Sequence, residues 1–111
     1  MPPKLNPLKL NNLQLRTLVL AQVLAREPGN VERDEATGDV TLLVLPEPHG
    51  DHVHIGAHVV SAREASGLHN PAVWAAFQRR GLARGDVAVA VTLTAAGIAY
   101  DTGLNVRFGT D

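Results

Sequence analysis

The most informative part of the sequence is residues 61–97, which begins Ser61-Ala-Arg-Glu-Ala-Ser-Gly-Leu-His-Asn-Pro-Ala-Val-Trp-Ala-Ala-Phe-Gln-Arg-Arg-Gly-Leu. Its first four residues fit the Ser-x-x-Glu capping box, which predicts a short helix from Ser61 that the first Gly-Leu pair ends. The Asn-Pro pair fits the N-cap and first position of a second helix, predicted over 71–80 and ended by Gly81. A tight turn between the two helices would make them a helix-turn-helix.

The rest of this stretch predicts a return to β-structure. Residues 83–86 are predicted as a turn, and the Val/Ala-rich run 87–93 as a strand. Thr94 is then predicted to cap a last short helix that runs to about Tyr100.

The chain before this stretch predicts one helix and one hairpin. Asn11 or Asn12 can cap a helix to about Arg26, and its Leu and Val residues are spread around the whole helix axis. Because a small domain rarely buries every side of a helix, we expect a homodimer formed through residues 5–24, unless the chain's own ends cover this helix.

Residues 31–39 are predicted as a polar loop with a turn at 34–38. Strands are predicted at 40–45 and 52–60, joined by the turn region 46–51 as a hairpin.

Two short motifs carry a resemblance to a known family: Gly81-Leu82 after the second helix, and Leu93-Thr94-Ala95-Ala96-Gly97 after the strand. Residues 61–97 resemble winged-helix DNA-binding domains of the MarR/PadR sort. In those families the recognition helix ends in Gly-Leu, a wing hairpin follows, and the last strand runs into Leu-Thr-x-x-Gly. The resemblance implies an α+β, winged-helix-like fold with a long N-terminal helix, a helix-turn-helix and an antiparallel sheet of about three strands. The chain departs from this pattern in a shorter second helix, a minimal wing at 83–86 and the extra hairpin.

The resemblance also implies candidate DNA contacts at both ends of the second helix. They are His69 and Asn70 at its start, and Arg79, Arg80 and Arg84 at its end. Arginines there could hold phosphates without reading bases, and Asn70 fits a cap as well as a contact. The formal net charge is −1, so the composition does not indicate a basic surface. A transcription-regulator relative and a protein-interaction module both remain open.

Four of the five histidines lie in the run His49-Gly-Asp-His-Val-His-Ile-Gly-Ala-His58. In one continuous strand, Val53, Ile55, Ala57 and Val59 would face the core, and His52, His54 and His58 would share the other face. Neighbours on one face lie about 6.6–6.8 Å apart, which lets His52 and His54 converge on a metal ion. Asp51, His49 or Glu47 in the turn could then add a third ligand or a supporting carboxylate. The alternative functional prediction is therefore a metal-binding protein with zinc as its cofactor, and a small hydrolase is one form that such a protein could take. These histidines equally fit the solvent face of an amphipathic strand.

Length and composition limit the remaining options. A chain of 111 residues predicts one domain over 1–111, with an irregular arm at 1–11 and an irregular tail at 101–111. The absence of cysteine excludes disulfides, thiolate nucleophiles and cysteine-ligated zinc. There is no signal-peptide pattern and no apolar run of membrane-spanning length, so we expect a cytoplasmic protein without membrane contact. No nucleophile elbow or phosphate loop is present, so the leading prediction is a non-enzymatic protein without a cofactor.

Overall fold

The computed structural model describes residues 6–86 and 90–104, which form an α+β fold with antiparallel sheets. The elements in chain order are α1 (Asn12–Ala25), β1 (Val31–Arg33), β2 (Val40–Leu42), β3 (His52–Ile55), β4 (His58–Ser61), a 3-10 helix (Ser66–His69), α2 (Pro71–Arg79), β5 (Ala83–Asp86), β6 (Ala90–Leu93) and α3 (Ala95–Ala99). Four strands form one sheet in the order β1-β2-β6-β5, and β3 pairs with β4 in a separate two-stranded sheet. The larger sheet thus has four strands where about three were expected.

Helix α1 is the centre of the hydrophobic core. It begins at a reciprocal cap, because the Gln14 backbone N–H donates to Asn11 Oδ1 at 2.8 Å and the Asn11 N–H donates to Gln14 Oε1 at 2.9 Å. Every residue from Thr17 to Ala25 is buried, and α1 contacts β2, β3, β6, α2, α3 and the 3-10 helix. A single chain therefore covers the all-round apolar surface. The reason for expecting a dimer through this helix is removed, and the homodimer itself stays a prediction.

The pairing of the first strands differs from the expected hairpin. The turn at 34–38 forms, with the Gly38 N–H donating to Asp34 O at 2.8 Å and a φ of +81° at Gly38. It joins β1 to β2, so part of the expected loop 31–39 is a strand. The hairpin predicted over 40–60 is wrong, because β2 ends at Leu42 and pairs with β1 on one side and β6 on the other. Because β1 and β6 occupy both edges of β2, β3 cannot pair with β2 and pairs with β4 instead.

The segment after β4 is not the predicted α-helix. Ser61 Oγ accepts the Glu64 N–H at 3.1 Å, as in a cap, but residues 62–65 form turns and the 3-10 helix follows. Gly67, expected to end a helix, lies inside this 3-10 helix against α1. A Cβ at Gly67 would lie 1.9 Å from Thr17 Oγ1. Close packing on α1 thus overrides the local capping signal.

The caps of the later helices form as expected. Asn70 Oδ1 accepts the Ala72 N–H at 3.0 Å to begin α2, and Thr94 Oγ1 accepts the Gly97 N–H at 3.1 Å to begin α3. Gly81 ends α2 with a φ of +74°. The predicted turn 83–86 is instead β5, which pairs with β6. Strand β6 begins at Ala90, and residues 87–89 of the expected strand 87–93 lie outside the described residues.

Candidate functional site

Most of the candidate DNA contacts take part in bonds within the chain. Asn70 is the N-cap of α2, and His69 Nε2 lies 2.9 Å from the Pro46 carbonyl oxygen. The Arg80 guanidinium donates to the Leu8 carbonyl. The Arg84 guanidinium lies 3.3 Å from Asp39 Oδ2. The Arg79 side chain is exposed, and none of the described residues forms a side-chain hydrogen bond or an ion pair with it.

The exposed face of α2 offers little that could read a base edge. Its exposed residues after the cap are Pro71, Ala72, Gln78 and Arg79, and the Gln78 amide donates to the Gly85 carbonyl. Base reading in the major groove needs amide, guanidinium or carboxylate groups near the front of the helix, where this chain has proline and alanine. The geometry of α2 therefore gives weak support to sequence-specific DNA binding.

Asp39 is a structural residue that the sequence did not single out. It lies between β1 and β2, and its side chain is 16% exposed. Besides the contact with Arg84, its Oδ1 accepts the Ala95 N–H at the start of α3 at 2.9 Å. One carboxylate thus joins the first hairpin, β5 and α3. The partners are more than forty positions away in the chain, so no local pattern could have indicated them.

The histidine run folds back on itself instead of forming one strand. Gly56 and Ala57 make a two-residue turn between β3 and β4, with a φ of +59° at Gly56. The register places His54 opposite Val59 and Ile55 opposite His58. Directly opposed residues lie on the same face of a sheet.

This reversal corrects the predicted faces. Val53 and Ile55 are buried, 1% and 0% exposed, as expected, but Val59 is 65% exposed and Ala57 is also exposed. His58 lies on the face of Ile55, opposite the face of His52 and His54, and is half-buried. The expectation that His58 shares a face with His52 and His54 is wrong.

His49 joins the other two histidines from the preceding loop. Its backbone N–H donates to the His52 carbonyl at 2.7 Å, which forms an isolated antiparallel bridge beside β3. The ring centroids lie 5.2 Å apart for His52 and His54, 5.9 Å for His49 and His54, and 6.3 Å for His49 and His52. Three imidazoles from a loop and a strand thus form one cluster, which we call the histidine triad.

The spacing of the triad is close to that of zinc-bound imidazoles. With Zn–N bonds of about 2.0 Å at tetrahedral angles, ring centroids on one zinc ion lie about 5 Å apart. The pair His52–His54 already has this separation, and His49 is about 1 Å farther from each ring than zinc requires. Among residues 6–86 and 90–104, no three His, Asp or Glu side chains are yet arranged to hold a metal ion. Metal binding therefore needs the rings to rotate toward a common point.

Asp51 is placed to support one ring of the triad. Its Oδ1 lies 3.4 Å from His52 Nδ1, and its own side chain is fully exposed. A proton on Nδ1 shared with this carboxylate would leave Nε2 with a free lone pair for a metal ion. Metal-bound histidines commonly have such a carboxylate on the second ring nitrogen.

Comparison with known proteins returned no match: no family model matches the chain, and neither a curated protein nor a solved structure is similar to it. The helices in the described ranges all fall short of the length and hydropathy of a membrane-spanning segment.

Proposed function

We propose that this protein is a winged-helix-like domain that binds a divalent transition metal, zinc above all, through the histidine triad. The observation that carries the proposal is the convergence of three imidazoles, 5.2–6.3 Å apart, on the outer side of β3. Imidazole is a ligand that zinc, copper and nickel share. Binding, and not catalysis, is the proposed activity.

The scaffold part of the proposal is supported by the corner between α2 and α3. The Leu82 N–H donates to Phe77 O at 2.9 Å and the Gly81 N–H to Gln78 O at 3.1 Å, which is a Schellman end. Thr94 then donates to this corner, from its N–H to Leu82 O at 3.0 Å and from its hydroxyl to Gly81 O at 2.6 Å. The two motifs that carry the winged-helix resemblance are thus in direct contact, and in the proposed scaffold the antiparallel pair β5 and β6 would correspond to the wing.

The cost of ordering the three rings is small compared with the binding free energy of a complete zinc site. His49 and His54 are exposed and His52 is half-buried, so their side chains are free to change rotamer. Ordering a side chain costs at most about 2 kcal/mol. Structural zinc sites supply about 10–16 kcal/mol of binding free energy in small peptides. A three-histidine site with an incomplete coordination shell binds zinc less tightly than these sites. Ordering three rings would cost at most about 6 kcal/mol on the same scale, which is less than the binding free energy of a complete site.

The proposal is tested by metal titration of protein purified without a polyhistidine tag. We expect one zinc ion per chain by calorimetry, and a cobalt-substituted form with the visible absorption of nitrogen-ligated Co²⁺. His54→Ala should weaken binding more than about 100-fold, because losing even an outer-shell partner costs 10–100-fold. His58→Gln is the matched control, since His58 lies on the other face of the hairpin. Equal loss in His58→Gln, or no loss in His54→Ala, would contradict the site.

DNA binding is the competing activity for the same scaffold, and it has a separate test. We expect no mobility shift of mixed duplex DNA at physiological salt, because four of the five candidate contacts make bonds within the chain. A shift that weakens steeply with salt and is lost in Arg79→Ala would favour a DNA-binding regulator. Binding to neither metal nor DNA would leave a protein-interaction role.

A further inference from the structure

A cavity of about 410 Å³ lies beside β3, where it is lined by Val53, a residue on the face of the strand opposite to His52 and His54. Its apolar wall consists of Pro46, Pro48, Val53, Ala62 and Ala65. Binding sites for small molecules typically have volumes of 300–1,000 Å³, a mostly apolar lining and a few convergent polar groups. This cavity has the volume and the apolar wall, so the chemistry of its ligand depends on the polar groups that remain.

Those polar groups are Glu47, Ser66 and His69, and each presents a hydrogen-bond acceptor. His69 Nε2 lies 2.9 Å from Pro46 O, a carbonyl that can only accept, so Nε2 carries the hydrogen. In the neutral form of the ring, Nδ1 is then an acceptor. Ser66 Oγ donates its hydrogen to Arg63 O at 2.8 Å and keeps its lone pairs. The Glu47 carboxylate is exposed and adds a negative charge.

Donors are correspondingly scarce around the cavity. Pro46 and Pro48 have no backbone N–H. The N–H groups of three further lining residues already donate within the fold: Ala62 to Asp51 O at 2.8 Å, Ala65 to Ser61 O at 3.1 Å, and Ser66 to Arg63 O at 3.3 Å. A carboxylate or phosphate ligand would lose its water without gaining hydrogen bonds from these groups.

We propose that this cavity binds a small molecule with an apolar body and a protonated amine. The body would occupy the space against Val53, Ala62 and Ala65, and the ammonium group would donate to Glu47 and to the acceptors of Ser66 and His69. An ammonium group offers three donors, which matches the three acceptors. The site is separate from the histidine triad and does not depend on bound metal.

The test uses three probes with the same phenylethyl body and different heads: 2-phenylethylamine, 2-phenylethanol and phenylacetate. We expect the amine, added at millimolar concentration to the full chain, to shift the NMR amide signals of Ala62, Ala65 and Ser66. The alcohol should bind more weakly, and phenylacetate should leave these signals unchanged. Phenylacetate binding as tightly as the amine, or no shift with any probe, would overturn the proposal.

Two variants locate the binding. Glu47→Gln keeps the side-chain size and removes the charge, so amine affinity should fall about threefold to fivefold, which is the upper part of the range for an exposed charge pair. Glu32→Gln, which removes an exposed carboxylate on β1, is the control and should bind the amine as the parent does. Ala62→Leu fills the cavity, and retained amine binding in a folded Ala62→Leu protein would place the amine elsewhere and overturn the proposal.

Discussion

Gly97 occupies a position where the fold has no space for a side chain. A Cβ there would lie 2.1 Å from the backbone oxygen of Leu82, and that oxygen already accepts the Thr94 N–H. We expect Gly97→Ala to lower the free energy of unfolding by about 3 kcal/mol, because relief requires the backbone to move. Urea denaturation measures this. Gly29→Ala is the control: no atom lies within 4 Å of its Cβ, so a change within about 0.5 kcal/mol is expected.

A substitution at Asp51 tests whether its carboxylate supports His52 in binding the metal ion. Asp51→Asn keeps the shape and removes the charge that favours a proton on His52 Nδ1. We expect zinc affinity to fall about tenfold, as is common when the carboxylate behind a metal-bound histidine is lost. The unfolding midpoint of the metal-free protein should not change, because the Asp51 side chain is fully exposed. Unaltered zinc affinity would show that Asp51 only flanks the site.

In α2, one residue has both a structural and a predicted functional role. Asn70 caps α2 through the Ala72 N–H, and the resemblance also made it a DNA-contact candidate. Asn70→Ala should cost about 1 kcal/mol of stability, while Asn70→Ser, which keeps a capping oxygen, should cost much less. Denaturant melts of both variants measure the difference. Equal stability of the two variants would argue against the capping role.

The β3–β4 hairpin is the element that assembles the histidine triad. Because of its two-residue turn, His58 lies on the face opposite to His52 and His54, whereas one continuous strand would have placed all three on the same face. The bridge from the His49 N–H to the His52 carbonyl then brings a third ring from the loop. A loop without this bridge would leave only His52 and His54 together.

At the scale of the whole molecule, bound metal should stabilise the native state. The triad joins the loop before β3 to β3 itself, and the bridge between His49 and His52 holds its rings close together in the native state. A ligand that binds only the native state at 100 times its Kd adds about 2.7 kcal/mol to the free energy of unfolding. We expect zinc to raise the urea midpoint, excess EDTA to reverse the rise, and His54→Ala to abolish it. A zinc effect that persists in His54→Ala would point to another site.

Structural features were predictable from the sequence when the interacting residues lie close together along the chain. The caps of α1, α2 and α3 were predicted because each depends on residues two or three positions apart. The short strands β1 and β5 were missed, since Val31–Arg33 and Ala83–Asp86 are too short and too polar to show a hydrophobic alternation. Within the candidate site, His52, His54, His49 and Asp51 were named from spacing alone, but the wrong face was predicted for His58.

The amino-acid sequence alone was sufficient for the α+β class, for the N-caps of α1, α2 and α3 and for the concentration of imidazoles in one short run, because these are properties of neighbouring residues. Strand partners, the burial of α1 within one chain and the choice of His49 over His58 required the folded structure. Each of them depends on pairs such as Val40 and Leu93, which are adjacent across the sheet and far apart in the chain. The alternation of residues along a strand predicts which side chains share a face. Where the strand ends and which strand it pairs with depend on packing against residues that are distant in the chain.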